Sequence, residues 1–345
     1  MSWIDNIWYS PSWYHWPVII LLLPLTVLFW LLSALRRALF RLQIKPTVDI
    51  PALVIVVGNI SVGGNGKTPL VVYLAKRLRQ EGYNPGVLSR GYGGKNACYP
   101  MTVEHRSKVD VVGDEAILMR QHINCPLVVD PVRPRGALEL VDNHKCDVII
   151  CDDGLQHYTL NRDVEIVVID GQRRFGNNLL LPAGPLREGS WRLDTVDFLV
   201  LNGGLVTNGE YLMSLEAGKL INVKHPNKSL SINDLTVPVT ALAGIGNPQR
   251  FFSLLEKKQV KLKQQLSFVD HHPFSEADIP SGTVIMTEKD AVKCTLIAHD
   301  DCWYLPVSAS LTSQFESQLL QKLKQVTADK NRLKTNRKSR ENNGL

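Results

Sequence analysis

No Cys-x-x-Cys pair occurs among the six cysteines of this 345-residue chain, and no His or Cys spacing matches a familiar metal site. A disulfide framework or structural zinc is therefore excluded as the organising device. Cys146 and Cys151 flank an apolar stretch and read as buried thiols of a reducing, cytosolic compartment. No internal repeat is visible, which removes solenoid and propeller architectures. Lysine and arginine are missing before Pro17, and a cleaved signal peptide would place its basic residues there. The formal net charge is a modest +6, and it is unevenly spread. Residues 322–340 are rich in Lys and Arg, so 326–345 reads as a solvated, poorly ordered tail.

Charge is also absent from residues 17–35, a run close to the ~20 residues that cross a bilayer. Trp3, Trp8, Tyr9, Trp13, Tyr14 and Trp16 precede it, as in an interfacial aromatic belt, and Arg36, Arg37, Arg41 and Lys45 follow it. Residues 1–44 thus read as a membrane anchor, and the positive-inside rule predicts an outward N-terminus with all that follows Arg36 in the cytoplasm. A re-entrant or monotopic helix, or a buried core helix, is the alternative that Pro24 permits.

From Lys45 the pattern is α/β. Apolar runs at 53–57, 127–129, 148–151, 165–169 and 198–201 predict buried strands, with helices at 69–80, 114–121 and 135–143 between several of them. Such alternation predicts a mainly parallel sheet flanked by helices, with its ligand at the strand C-terminal ends. The expected division is a P-loop-type core at 45–225 and a smaller C-terminal α/β lobe at 226–325. That lobe would hold strands at 239–242 and 284–286, a helix after Pro248 and a last helix near 311–323.

The chemistry concentrates on residues 57–70. An apolar strand runs into Ser61, Val62, Gly63, Gly64, Asn65, Gly66, Lys67 and Thr68, and a helix follows. Glycines let backbone N–H groups converge on phosphate, Lys67 adds charge and Thr68 offers an oxygen to Mg²⁺. The strict pattern wants glycine where Ser61 stands. Asp152 and Asp153 end the run 148–151 and supply carboxylates for a metal beside the phosphates. Asp114 and Glu115 open a helix, where Asp114 could be merely an N-cap. Asp270, His271 and His272 share one loop; further zinc ligands are missing at any familiar spacing, so acid–base work is the more economical role. Arg90, Arg133, Arg135 and Arg187 form, as a group, a cationic surround for an anionic ligand.

Together, residues 58–69, 89–93, 113–115, 152–157, 182–188, 244–248, 270–272 and 287–291 resemble the tetraacyldisaccharide 4′-kinase family, the lipid A kinases of Gram-negative bacteria. The resemblance spans about residues 15–310. It implies phosphoryl transfer from ATP, with Mg²⁺, to the 4′-hydroxyl of tetraacyldisaccharide 1-phosphate at the cytoplasmic face of the inner membrane. It further implies that Lys67 binds the β- and γ-phosphates and that Thr68 with Asp152 or Asp153 holds Mg²⁺. Asp114 would be the base and His271 its partner. Glu115 would belong to the catalytic set, and Arg90, Arg133, His157, Arg187 and Glu188 to the acceptor side. The lipid acceptor and the bilayer are the expected partners, and no nucleic acid is expected; the resemblance leaves oligomeric state open. A membrane-anchored switch ATPase is the rival, but such proteins carry a second lysine early in the loop, and Val62 stands there.

Overall fold

The computed structural model describes residues 3–95, 98–207 and 209–342, with side chains described through residue 332. Two helices open the chain, α1 (Trp3–Tyr9) and α2 (Trp16–Arg41). The first lobe follows as β1 (Leu53–Gly58), α3 (Lys67–Gln80), β2 (Pro85–Ser89), β3 (Met101–Thr102), α4 (Val109–Val112), α5 (Asp114–His122) and β4 (Leu127–Val129). It continues with α6 (Arg133–Asp142), β5 (Val148–Asp152), β6 (Val164–Asp170), β7 (Phe198–Asn202) and β8 (Glu210–Ala217). The second lobe contains β9 (Leu220–Asn222), β10 (Ser229–Leu230), β11 (Val239–Ala243), α7 (Pro248–Lys257), β12 (Leu262–Ser267), β13 (Val284–Thr287), α8 (Glu288–Cys294) and β14 (Cys302–Leu305). Finally, β15 (Val307–Leu311) and α9 (Ser313–Asn342) return to the first lobe.

The large sheet runs β15-β8-β7-β6-β1-β5-β2-β4-β3 and is parallel except at its two edges. All six β1 residues are buried, as a central strand covered on both faces requires. One face carries α3, whose Leu70, Val71, Leu74 and Leu78 recur at helical spacing and are wholly buried. The small sheet runs β10-β9-β14-β13-β11-β12, with parallel pairs at its centre.

The C-terminal boundary differs from the expectation. β15 pairs with β8, and Phe315, Leu319 and Leu323 of α9 join the core of the large sheet. The small sheet therefore occupies about residues 220–305. Where a solvated tail was expected from residue 326, α9 runs on to residue 342, and Lys330 Nζ donates to Ala52 O (2.8 Å) and pairs with Asp163 Oδ2 (2.6 Å). The buried apolar stripe orders the start of the helix, and this ion pair holds its continuation against the lobe. Residues 343–345 lie outside the described residues.

The N-terminal segment packs against the first lobe. Asn177 N donates to Trp8 O (2.7 Å), Trp8 Nε1 to Pro182 O (3.1 Å) and Tyr9 Oη to Val62 O (3.1 Å). Farther along, Ile19 and Thr26 of α2 are buried, and Ala183 N donates to Thr26 Oγ1 (3.1 Å). Near its end, Phe40 packs on Tyr158 and Arg37 stacks on Trp191. α2 thus touches the first lobe at both ends and in the middle. It is nonetheless not a core helix, since 11% of its most apolar window is buried. Leu21, Leu25, Leu28, Leu32 and Leu35 form its exposed face.

Candidate active site

β1 ends at Gly58, and the loop to Lys67 is shaped by local backbone needs. Gly66, the N-cap of α3, has φ +92°, and a Cβ there would stand 2.1 Å from Asn202 Nδ2. Asn202 in turn donates to Asn65 O (2.9 Å). Ser61, in the position where the strict pattern has glycine, is buried and accepts from Asn65 Nδ2 (2.9 Å), so its hydroxyl braces the loop from within. Gly246 of the second lobe rests directly on this loop, and a Cβ there would meet Gly64 N at 2.3 Å. Gly246→Ala is expected to lower stability by about 1–3 kcal/mol and to weaken nucleotide binding, read by thermal unfolding with and without ATP. Unchanged melting and ligand response would show that the loops part easily.

β5 lies beside β1 with Asp152 opposite Val57, which brings its C-terminal carboxylates to the loop. Asp152 is buried; its Oδ2 faces Ser89 Oγ at 3.4 Å, and its Oδ1 has no partner among the described residues. Burial, with the Glu115 charge adding, pushes this carboxyl up to about 7. Asp153, at φ +47°, pairs with Lys67 (3.4 Å) and Arg187 (3.2 Å). Burial acts to raise its pKa, but those two cations outweigh it and hold the carboxyl well below the usual range. The donor set of Thr68 hydroxyl and a buried, half-partnered Asp152 carboxylate suits a hard cation such as Mg²⁺.

Across the cleft, His271 Nδ1 lies 2.9 and 3.0 Å from the two Asp114 carboxylate oxygens. Asp114 opens α5 in the first lobe, whereas His271, at φ +60°, sits in the loop after β12 in the second. Burial would raise the Asp114 pKa, but the His271 hydrogen bond and the Lys289 charge hold it below its ordinary value. His271 is shifted upward: burial works against its charge, and the Asp114 bond overcomes that. Lys289 Nζ reaches Glu115 Oε1 (3.0 Å), Asp270 Oδ1 (3.0 Å) and His271 Nε2 (3.4 Å), and Tyr92 packs on the His271 ring at 4.8 Å. Sequence reasoning gave neither Lys289 nor Tyr92 a role at His271. Both lie in the stretches that carry the family resemblance, which was the available signal.

Lys67, Thr68, Arg90, Glu115, Asp152, Asp153, Arg187 and His271 all line one cleft of about 1050 Å³. Two expected acceptor residues have other partners. Arg133 is 1% exposed and donates to Asp152 O (2.8 Å) and Asp130 O (3.2 Å), so it braces the cleft floor. Glu188 is buried, accepting from Gln156 Nε2 (3.1 Å) and the Tyr158 hydroxyl. His157 is half-buried, and burial together with the Arg133 and Arg90 charges depresses it to about 4, so its imidazole is neutral at pH 7. His272 lies outside the pair, against Asp278. Thr287 caps α8, and the buried Asp290 accepts from Gly244 N (2.8 Å), so residues 287–290 form a helix start.

A mainly parallel sheet with a glycine-rich loop after its central strand, and a cleft bordered by an Asp114–His271 pair that bridges two lobes, defines a two-lobed α/β protein. Comparison with known proteins makes this specific. The chain belongs to the tetraacyldisaccharide-1-P 4′-kinase family, whose model matches residues 18–324. It is 60% identical over 304 residues to the tetraacyldisaccharide 4′-kinase of Pseudoalteromonas atlantica, covering 88% of this chain and all of that one. It is 48% identical to the enzyme of the same name from Shewanella denitrificans, over 93% and 97% of the two chains. The crystal structure of LpxK from Aquifex aeolicus in complex with ATP superposes with a TM-score of 0.74 at 29% identity, covering 90% of this chain and 99% of that one.

Proposed function

We propose that the protein is an ATP-dependent kinase that phosphorylates the 4′-hydroxyl of tetraacyldisaccharide 1-phosphate, yielding lipid IVA in lipid A biosynthesis. The observation that carries this reading, beyond family membership, is the Asp114–His271 pair bordering the cleft that Lys67 and Thr68 line. A switch ATPase has no use for a base aimed at an acceptor hydroxyl.

In this reading the 61–68 loop directs its N–H groups at the donor phosphates. Lys67 leaves Asp153 to neutralise charge at the transferring group. Thr68 and Asp152 would hold Mg²⁺, which would supply further charge neutralisation at the phosphates. Arg133 keeps Asp152 in register through its carbonyl. Asp114, kept ionised by its cationic neighbours, accepts the proton of the acceptor hydroxyl, and His271 shares it. Lys289 ties Glu115 to the His271 loop and thereby holds the two lobes in that alignment. Arg90 and Arg187, which line the cleft, would face the sugar phosphate, with neutral His157 near the Arg90 charge.

The exposed apolar face of α2 and the Trp3, Trp13 and Trp16 side chains support a monotopic seat in the cytoplasmic leaflet of the inner membrane. Acyl chains leave a bilayer only at ~0.8 kcal/mol per CH₂, so an enzyme for this acceptor works at the surface. The deciding experiment is ATP-dependent labelling of purified tetraacyldisaccharide 1-phosphate beside its deacylated counterpart. Label is expected in the acylated acceptor and far less in the other. ATP hydrolysis with label in neither would sink the kinase reading and favour the switch ATPase.

A further inference from the structure

The three residues that join the N-terminal segment to the nucleotide loop carry an inference of their own. Arg173 follows β6 in the first lobe, and its guanidinium has three neighbours, one in the second lobe and two on α1. Its Nη1 donates to Gly246 O of the second lobe at 2.6 Å. Its Cζ lies 4.7 Å from the Tyr9 ring centroid, a cation–π contact with α1. The same Nη1 lies 3.9 Å from Asp5 Oδ1, also on α1. Both groups that Arg173 touches reach the phosphate loop directly. Gly246 rests on Gly63 and Gly64, and the Tyr9 hydroxyl donates to Val62 O. The loop is thus gripped from two sides, and one largely buried guanidinium holds both grips together.

We infer that Arg173 and Tyr9 are positioning residues for the nucleotide: the segment ahead of the membrane helix shapes the phosphate loop as well as anchoring the enzyme. Loop backbone must hold its N–H groups convergent before phosphate arrives, and a brace on the Val62 carbonyl limits the conformations lost on binding. Arg173 matters because a charge-assisted bond to a carbonyl is stronger than a neutral one, and its planar fork can serve Gly246 while stacking on Tyr9. The inference rests on the proposed nucleotide site at residues 61–68 and adds a function to residues 3–9 that membrane anchoring does not require.

The test uses the full-length enzyme on phosphatidylethanolamine–phosphatidylglycerol vesicles, with a fluorescent ATP analogue for binding and both KM values for turnover. Arg173→Ala is expected to weaken nucleotide binding and raise KM for ATP about tenfold, with Arg173→Lys recovering part of the loss. Tyr9→Phe keeps the ring and removes only the hydroxyl, so a severalfold rise in the same two quantities is expected. KM for the lipid acceptor and co-sedimentation with vesicles should stay at wild-type values in all three. If Arg173→Ala does not fold, Tyr9→Phe decides. Unchanged nucleotide affinity in the folded variants would overturn the inference, as would a parallel rise in the lipid KM, which would mark the segment as an acceptor or membrane element. A wild type that binds no nucleotide would overturn the functional reading itself.

Discussion

Replacing Asp114 by asparagine is expected to cut kcat roughly a thousandfold while changing nucleotide affinity by no more than about a factor of two. The substitution preserves shape and removes the charge that accepts a proton. Asp114 is paired with His271 and lies near Lys293, and no contact ties it to the 61–68 loop among the described residues, so ground-state ATP binding has little reason to respond. The pH profile gives an independent check. With the His271 pKa raised above its ordinary 6.5, the pair is fully ready to accept a proton only above that value. The acid limb of kcat/KM should therefore have its midpoint above pH 6.5 and activity should rise through it. In His271→Ala the histidine that shares the proton is gone and Asp114 titrates without it, so the limb should fall below its wild-type position. A limb that stays in place after His271→Ala would remove the pair as the titrating base.

Lys67→Ala carries the other large effect. A loss of a hundredfold to a thousandfold in kcat is expected, since Lys67 supplies charge where the transferring phosphoryl group spreads its own. In the described structure the ammonium lies 3.4 Å from Asp153, so its removal also leaves that carboxylate with Arg187 as its closest cation. The uncompensated negative charge in the cleft should weaken ATP binding as well, a combination that Asp114→Asn does not share. Single-turnover labelling of the lipid acceptor alongside equilibrium ATP binding separates the two variants. Near-normal single-turnover rates in Lys67→Ala would show that Lys67 does not serve the transfer step.

Some features were legible because their causes are contiguous in the chain. The apolar run 53–57 could only be a doubly covered strand, and the glycines and Lys67–Thr68 after it could only be a turn into a helix. β2 was missed although it is central, lying between β5 and β4. It begins Pro85-Gly86, which reads as a turn; Pro85 is tolerated because it is the first residue of the strand. The same limit applies to α2. Hydropathy measures length and apolarity, so it found the helix but not what the helix packs against. The bonds of Trp8, Tyr9 and Thr26 to the lobe are contacts that hydropathy does not encode. Arg133 and Glu188 show a further gap: residue type announces charge, but burial decides whether that charge meets a ligand or holds the floor beneath one.

The sequence by itself determined the strand, glycine-rich loop and helix at residues 53–80, the carboxylates at the end of β5, and the presence of a long apolar N-terminal helix. Each follows from steric and hydrophobic preferences acting within a window of about twenty residues or fewer. Tertiary structure alone decided that Asp114 meets His271 across 157 residues and two lobes. It also returned β15 and α9 to the first sheet and folded the N-terminal segment back onto the phosphate loop. Those outcomes depend on which apolar faces pack together once the sheets exist, and on which polar groups are then close enough to pair. No short stretch of sequence contains either half of such a contact together with the other.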